Sequence, residues 1–300
     1  MLRKARDFFS QRKILEVDCP ALGSAPPLDL HIDVMKVHGK DGLLGYLHTS
    51  PEYGMKRLLA QGIGDIYQIS HVFREGEIGA LHNPEFTMAE WYRCGFSFEQ
   101  MIQETLAFIR LFLGDLPQTQ LDYRETLEHH LQIDYTTMTP SDLAKLAKEK
   151  GLFTSQEAAI WDKDTWLQLL VSLLIEPNLG QGELSVLTHF PATQAALAKT
   201  CSQNGLEAAL RFEIYFNGIE LANGYHELSD SNEQQRRFEK INQERLNSGK
   251  ETLPIDEKFL SALQTLPDCS GVAVGFDRLM LLRHRAPSLL NILPFTWQEV

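Results

Sequence analysis

The sequence has no long apolar run. Its first twenty residues mix charged with apolar side chains, and no later segment approaches the roughly 20 apolar residues that cross a bilayer. A signal peptide and a membrane span are therefore excluded. We expect a cytoplasmic protein with no membrane partner.

Positive charge is in short supply. The chain has 28 Lys and Arg against 40 Asp and Glu, which gives a formal net charge of −12. Such a surface opposes the electrostatic attraction that supplies most sequence-independent affinity for nucleic acids. We therefore expect no tRNA partner.

Cysteine is scarce as well. The four cysteines lack the paired spacing of zinc ligands, so neither a zinc site nor a disulfide framework is supported. Reduced, mostly buried thiols are the expectation for Cys19, Cys94, Cys201 and Cys269.

What the sequence does have is enough apolar material for a sizeable core, at 43% of 300 residues. Strand patterns at 62–92, 211–228 and 270–276 are separated by a block rich in helix formers. This order predicts an α+β fold, an antiparallel sheet flanked by helices. We expect one domain over residues 1–300, with a helical insertion at about 120–200.

A hairpin is predicted in the segment RFEIYFNGIELANGYHEL, residues 211–228. Asn217-Gly218 between two alternating runs is the strongest short hairpin signal. With these two residues as the turn, Glu213 and Glu220 share one face, where like charges repel unless a cation lies between them. Mg²⁺ fits that arrangement. The alternative is a solvent-facing acidic face without a ligand.

A polar loop, residues 74–84, follows the strand pattern IYQISHVFR, and we call it the Arg74 loop. A fixed guanidinium at Arg74 suits a phosphate. The chain then returns through Phe86, Met88, Glu90 and Tyr92, which alternate onto one strand face. A surface hairpin with a core-facing aromatic would explain the same pattern.

A third segment, SGVAVGFDRLMLL, places Gly271, Ala273 and Gly275 on one side of a strand. A face that is nearly bare marks the close approach of a ligand or of another backbone. Tight packing between secondary-structure elements is the alternative.

Three segments, in this order, resemble motifs 1, 2 and 3 of class II aminoacyl-tRNA synthetases: the predicted helix and strand of residues 5–20, then VFREGEIGALHNPEFTMAEWY, then SGVAVGFDRLMLL. The stretch TSPEYGMKRLLAQGIGDIYQISHVFR, with HNPEFTMAEWY and GIELANGYHEL, is similar to the lysine branch. The resemblance covers nearly the whole chain. It implies the synthetase catalytic domain and adenylation of an amino acid by ATP.

The resemblance also implies an ATP site. Arg74 and Arg278 would be catalytic, with Arg74 on the α-phosphate, and Phe86 and Arg278 would enclose the adenine. Glu213 and Glu220 match the family's magnesium-linked carboxylates. The residues implied in ATP binding are Arg74, Glu75, Gly76, His82, Asn83, Phe86, Glu220, Leu221, Gly275 and Arg278. Gly76 departs from the family, because motif 2 usually has glutamate there, and Glu75 or Glu77 could substitute.

For a lysine-like amino acid, the resemblance implies that Glu52, Tyr92 and Glu227 bind the two ammonium groups and that Asn223 meets the carboxylate. The implied set is Ser50, Pro51, Glu52, Tyr92, Asn223, Glu227 and Ala273. Lysyl-tRNA synthetases have glycine at the position of Ala273. One added methyl group is worth roughly 1–3 kcal/mol of discrimination, enough to favour an isomer such as (R)-β-lysine over α-lysine.

The acceptor is implied by the branch of the family that the chain most resembles, stand-alone paralogues of lysyl-tRNA synthetase. These imply elongation factor P as acceptor, a homodimer, and no anticodon-binding domain. Alternatives remain open: a truncated lysyl-tRNA synthetase, a ligase for a small molecule, or a catalytically silent regulatory paralogue.

Overall fold

A computed structural model describes residues 1–152 and 161–299. The chain divides into two compact units. The first comprises Met1–Asp115, Ala196–Lys199 and Gly224–Val300, and the second comprises Leu116–Ala195 and Thr200–Asn223.

Strands make up much of the described chain. In chain order they are β1 (Leu15–Glu16), β2 (Leu22–Gly23), β3 (Lys36–Gly39), β4 (Gly42–Leu47), β5 (Ile66–Phe73), β6 (Glu85–Cys94), β7 (Gln118–Asp122), β8 (Leu184–Pro191), β9 (Thr200–Gln203), β10 (Leu206–Phe216), β11 (Ile219–His226) and β12 (Cys269–Gly275).

Helices connect and cover these strands. The α-helices are α1 (Leu2–Gln11), α2 (Glu52–Leu59), α3 (Phe98–Leu113), α4 (Tyr123–Leu131), α5 (Pro140–Glu149), α6 (Lys163–Leu170), α7 (Ser231–Asn247), α8 (Glu257–Leu263) and α9 (Phe276–His284). None of them is both long and apolar enough to cross a bilayer.

The first unit is built on a sheet whose strands lie in the order β1, β5, β6, β12. β5 and β12 both pair antiparallel with β6, whereas β1 is parallel to β5. The α+β class is confirmed, and the sheet is mostly antiparallel rather than wholly so. The alternation predicted for β6 also holds, because the Tyr92 hydroxyl donates to Glu90 on the same face.

Aromatic side chains fill the opposite face of this sheet. Phe9 from α1 stacks on Tyr67 of β5 at 4.2 Å between ring centroids and lies 5.3 Å from Trp91 of β6. Phe108 from α3 closes the cluster 5.2 Å from Trp91. Offset and edge contacts of this kind add to the hydrophobic burial, so this face is a rigid base for the residues opposite.

The sequence patterns missed several elements of the first unit. A small sheet orders β2, β4 and β3, and its strands are two to six residues long. Strands this short offer too few alternations to detect. Helices α7 and α8 were not predicted either, and both carry buried apolar residues, including Phe238 and Phe259.

In the second unit, β10 pairs antiparallel with β8 and β9, and β7 runs parallel to β8. The predicted hairpin turn is confirmed, because β10 ends at Phe216 and β11 begins at Ile219. Asn217 and Gly218 have φ of +50° and +74°, the left-handed region that a two-residue type I′ turn requires at both positions.

The range predicted as a helical insertion, 120–200, contains α4, α5 and α6 but also β8. Residues 153–160 of that range lie outside the described residues. Whether the range is an insertion stays a prediction. Helix α5 begins after Thr139, which is its N-cap, and Asp142 completes a capping box with Thr139.

Candidate functional site

Three strands of the first unit bring polar and small residues together on one face. Gln68 of β5 lies opposite Glu90 of β6, and Glu90 lies opposite Ala273 of β12. In the next row, Tyr92 lies opposite Gly271. Directly opposed residues share a face with their Cβ atoms about 5 Å apart, so the Ala273 methyl group stands beside the Glu90 carboxyl.

Three carboxyl groups and one lysine lie together at this face, and we call them the carboxylate cluster: Glu52, which is 12% exposed, and the buried Glu90, Glu227 and Lys56. Lys56 Nζ lies 2.6 Å from Glu52 Oε1 and 2.5 Å from Glu227 Oε2. Glu90 accepts hydrogen bonds from Ser50 Oγ at 2.8 Å and from the Tyr92 hydroxyl at 2.7 Å. Lys56, Glu90 and Glu227 are each 2% exposed or less.

Burial perturbs the carboxyl groups strongly. Burial, followed by the nearby Glu52 carboxylate, raises the pKa of Glu90 to about 7. Burial raises the pKa of Glu227 to about 8, although the Lys56 ammonium opposes that shift. Removing an anion from water disfavours its charged form. The cluster therefore holds protons near neutral pH that a cationic ligand would displace.

The cluster also leaves one acceptor unused. Glu227 Oε1 is buried and has no hydrogen-bond partner within residues 1–152 and 161–299. A buried carboxylate oxygen without a partner is costly, so Oε1 is a position at which a ligand donor would be stabilised.

Gly271 is required by the packing of these side chains. A Cβ at Gly271 would lie 2.3 Å from Tyr92 Cε1 and 2.5 Å from Glu227 Oε1, which is closer than atoms can pack. The bare face predicted at Gly271 is thus filled by the protein itself. At Gly275 the nearest atom to such a Cβ is Arg278 Cδ at 3.7 Å, so that end of the strand has ordinary space around it.

The Arg74 loop presents a guanidinium at the other end of β6. Arg74 lies over the Phe86 ring at 5.1 Å and 3.5 Å from the Glu77 carboxylate. Arg74 Nε is buried and has no hydrogen-bond partner among the residues the structure describes. A buried guanidinium N–H without a partner can donate to an anion.

Gly76 has a local reason to differ from glutamate. Its φ is +77°, a conformation that side-chain-bearing residues rarely adopt. Glu77, one residue later, is the carboxylate beside Arg74. Glu75 lies on the exposed side of the loop, and its backbone N–H donates to Asp33 O at 2.9 Å. Of the two substitutes suggested by the sequence, Glu77 is the one that reaches the arginine.

Helix α9 adds a second arginine to the Arg74 loop. Arg278 donates to Leu81 O at 3.3 Å and to His82 Nε2 at 2.7 Å. A guanidinium only donates, so Nε2 accepts and the proton of His82 lies on Nδ1. Burial, and then Arg278, lower the pKa of His82, which keeps the ring neutral near pH 7. Asp277 accepts the Thr87 N–H at 2.8 Å and ties the start of α9 to β6.

Asn83 holds the end of the Arg74 loop in place. Its side chain donates to Glu85 O at 2.6 Å and accepts from Trp297 N at 3.2 Å. The C-terminal segment also reaches Ala80, whose carbonyl accepts from Leu289 N at 2.8 Å. Both polar atoms of the Asn83 amide are therefore engaged in bracing the loop.

Comparison with known proteins identifies the family. Residues 1–299 match the family described as tRNA synthetases class II (D, K and N). The chain belongs to this class II synthetase family. It is 40% identical to proteins named elongation factor P (R)-β-lysine ligase from Salmonella dublin, Salmonella paratyphi B and Salmonella heidelberg, over 99% of this chain and 92% of each relative.

In class II synthetase terms, motif 2 is the β5–β6 hairpin with the Arg74 loop, and motif 3 is β12 with α9. The first unit contains most of the residues that the resemblance implied. They are Ser50, Pro51, Glu52, Arg74, Glu75, Gly76, His82, Asn83, Phe86, Tyr92, Glu227, Ala273, Gly275 and Arg278. Pro51 is the N-cap residue of α2, the helix that carries Glu52 and Lys56.

The remaining implied residues, Glu213, Glu220, Leu221 and Asn223, belong to the second unit. Glu213 is 7% exposed; Arg211 Nη2 lies 2.6 Å from its Oε1, and the Tyr215 hydroxyl donates to its Oε2. This part of the face is buried, so the alternative of a solvent-facing acidic face is wrong for Glu213. Burial, and then Glu213, Glu176 and Glu220, raise the pKa of Tyr215, which puts the charges of Glu213 and Glu220 near one phenol.

Lys56 was missed by sequence reasoning, and Glu90 was noted only as one of the residues that alternate onto one strand face. Glu90 carried a signal, because it alternates with Phe86 and Tyr92. Lys56 lies one helical turn after Glu52, a spacing that usually marks an exposed ion pair. Lys56 is fully buried because Glu227, which is distant in the sequence, packs against it. No local sequence pattern indicates that contact.

Proposed function

We propose that this chain is an ATP-dependent ligase that activates (R)-β-lysine as an adenylate and transfers it to elongation factor P. The observation that carries the proposal is the carboxylate cluster. Three carboxyl groups against one lysine leave two negative charges when all four groups are ionised. A largely buried cluster with that excess suits a substrate with two ammonium groups.

The amino-acid end of the reaction uses the first unit. Glu90, hydrogen-bonded to two hydroxyl groups, and the unpartnered Glu227 Oε1 are the proposed acceptors for the ammonium groups, with Glu52 and Tyr92 beside them. Asn223 is proposed to meet the substrate carboxylate. The Ala273 methyl group beside Glu90 narrows the space next to the proposed ammonium site. One methyl group is enough to favour the β-isomer over α-lysine.

The phosphate end is proposed to use the two arginines. The substrate carboxylate attacks the α-phosphorus of ATP, and the bond to the departing pyrophosphate breaks. Arg74, whose Nε is unpartnered, would hold the α-phosphate, and His82 would donate from Nδ1 to the outer phosphates. Phe86 and Arg278 would enclose the adenine, with Glu75, Gly76, Leu221 and Gly275 along the nucleotide. Positioned cations lower the barrier by stabilising charge in the transition state.

Glu213 and Glu220 are the proposed ligands of Mg²⁺. A carboxylate oxygen has two lone pairs, so Glu213 retains acceptor capacity beside its bonds to Arg211 and Tyr215. Hard cations prefer such oxygens. Bound there, Mg²⁺ would neutralise phosphate charge. The described residues contain no group of three or more acidic, histidine or cysteine side chains arranged for a metal, so ATP oxygens would complete the coordination.

The acceptor is proposed from the relatives, which are named as ligases for elongation factor P. In the second step, the amine of a lysine side chain of the acceptor attacks the adenylate carbonyl, AMP leaves, and an amide forms. The net charge of −12 disfavours tRNA as the acceptor. A homodimer and a cytoplasmic location are part of the same proposal.

Exchange of labelled pyrophosphate into ATP tests the first step. We expect exchange with (R)-β-lysine, weaker exchange with α-lysine, and none with norleucine, which has the same chain length as lysine without the distal ammonium group. Mass measurement of elongation factor P after incubation should then show one added β-lysyl group. Exchange with no diamino acid would favour a silent paralogue, and transfer to tRNA at a comparable rate would favour a lysyl-tRNA synthetase.

A further inference from the structure

Lys56 lies inside the carboxylate cluster rather than at its rim. It is 1% exposed, and its Nζ bridges Glu52 on its own helix and Glu227, which follows β11. The Phe259 ring lies 5.9 Å from Nζ. A fully buried lysine is rare unless it is paired, and this one has two partners.

The position of Lys56 fixes how many charges the cluster presents. Without it, three ionised carboxylates would lie together out of water, and each would raise the pKa of the others. With it, Glu52 and Glu227 share one counter-charge, and two negative charges remain. The same ammonium acts on Glu90, since it opposes the shift that burial imposes on the Glu90 pKa.

We propose that Lys56 is a specificity-determining residue: a built-in counter-charge that sets the cluster to bind a substrate with two ammonium groups and holds Glu52 and Glu227 in place to receive it. This inference rests on the proposed function of the cluster. It concerns a residue that acts through the carboxyl groups, so Lys56 is a positioning residue rather than a catalytic one.

The groups that face Lys56 come from several elements, and together they set its electrostatics. Glu52 lies on α2, Glu90 and Tyr92 on β6, Cys269 on β12, and Glu227 after β11. Burial alone would lower the pKa of Lys56, but Glu227 and Glu52 outweigh it and raise the pKa. Lys56 therefore stays charged while the carboxyl groups around it titrate.

The test is the pH dependence of KM for the diamino acid in pyrophosphate exchange, measured from pH 6 to 9 in Lys56→Met and wild type. An opposite charge at this distance shifts a carboxyl pKa by about 1 to 3 units. KM should fall as pH rises and the carboxyl groups ionise, and we call the middle of that change the pH midpoint. We expect this midpoint to be higher by at least about one unit in the variant, and KM at pH 7 to be at least about tenfold higher than in wild type. At the alkaline end, kcat should change little.

Two further variants separate a charge role from a folding role. Lys56→Met with Glu52→Gln restores two net negative charges, and we expect its pH midpoint to return toward that of wild type. Arg57→Met removes the same charge one residue along α2 and should leave the midpoint unchanged. If Lys56→Met does not fold, Lys56→Gln removes the same charge, keeps a side chain that can hydrogen-bond to Glu52 and Glu227, and carries the same comparison with wild type.

The outcomes distinguish this inference from the function on which it rests. A wild-type enzyme that shows no exchange with any diamino acid overturns the proposed function. If the wild-type enzyme shows exchange and Lys56→Met has the same pH midpoint as wild type, the counter-charge role is overturned and the proposed function is not. A shifted midpoint that the double variant does not reverse shows that Lys56 acts by shape and also overturns it.

Discussion

The carboxylate cluster and the Arg74 loop lie at two ends of the same strand, β6, and are built in opposite ways. Glu90 and Phe86 are four residues apart on one face, which is about 13 Å along a strand. The cluster is anionic and buried, and it contains its own counter-ion. The loop is partly exposed and presents the guanidinium of Arg74, whose side chain is 23% exposed and lies 3.5 Å from the Glu77 carboxylate.

In the proposed function, this difference matches the two ends of an aminoacyl adenylate. A small diammonium compound is recognised by the number and position of charges, so burial and rigid packing sharpen the discrimination. A triphosphate is large and brings its own charge, so a loop with donors and room suits it better. Substitutions at each region should therefore affect one end of the reaction without the other.

Arg74→Ala should affect only the phosphate end. Loss of one positioned donor to developing phosphate charge costs on the order of 10²–10³ in rate. We expect pyrophosphate exchange to fall by that factor, while binding of the diamino acid, measured by calorimetry without ATP, stays unchanged. Arg6→Ala is the control, because Arg6 is an exposed residue paired with Glu16. A parallel loss of diamino-acid binding would show that the two regions are not separable.

Substitutions at two glycines of β12 also test whether the carboxylate cluster and the Arg74 loop act separately. An added methyl group at Gly271 would strike Tyr92 and Glu227, so Gly271→Ala should destabilise the fold by about 1–3 kcal/mol and raise KM for the diamino acid. Gly275→Ala meets only ordinary contacts and should leave the melting temperature unchanged while raising KM for ATP. Thermal unfolding and the two KM values give the comparison. Equal melting temperatures for both variants would contradict it.

The pH dependence of stability should contain a contribution from the cluster. The folded-state pKa values of Glu90 and Glu227, about 7 and about 8, lie above the ordinary value of 4.5. Between pH 4.5 and 8 the folded protein holds protons that the unfolded chain releases, so this contribution to stability is lost as pH rises.

A bound diamino acid reverses that loss, because its ammonium groups favour the ionised carboxylates. The increase in melting temperature that the ligand produces should therefore grow from pH 6 to pH 8. The increase produced by ATP alone serves as the control and should change less. A ligand effect that is constant across this range would mean that Glu90 and Glu227 do not titrate on binding.

Ala273→Gly has the smallest expected effect. Removing the methyl group beside Glu90 should shift selectivity toward α-lysine by about tenfold, the lower part of the range for one methylene-sized difference. The measurement is the ratio of kcat/KM for (R)-β-lysine and α-lysine. An unchanged ratio would show that the Ala273 methyl group does not select the β-isomer. It would not affect the proposal that the charges of the cluster bind the two ammonium groups.

The sequence by itself determined the parts of this protein that depend on neighbours along the chain. Alternation placed Glu90 and Tyr92 on one face, and Asn217-Gly218 defined a turn that the structure contains. The order of the three motifs was sufficient to recognise the class II family that residues 1–299 match. These features are local, so their signal survives in a single sequence.

Tertiary structure alone decided the charge balance of the cluster. Lys56 and Glu227 are 171 residues apart in the chain, and their ion pair exists only because packing brings α2 against the residue that follows β11. Burial then sets the pKa values of Glu90 and Glu227, since desolvation depends on everything packed around a group. The same reason explains why Gly271 and Gly275, identical in the pattern, have different surroundings in the fold.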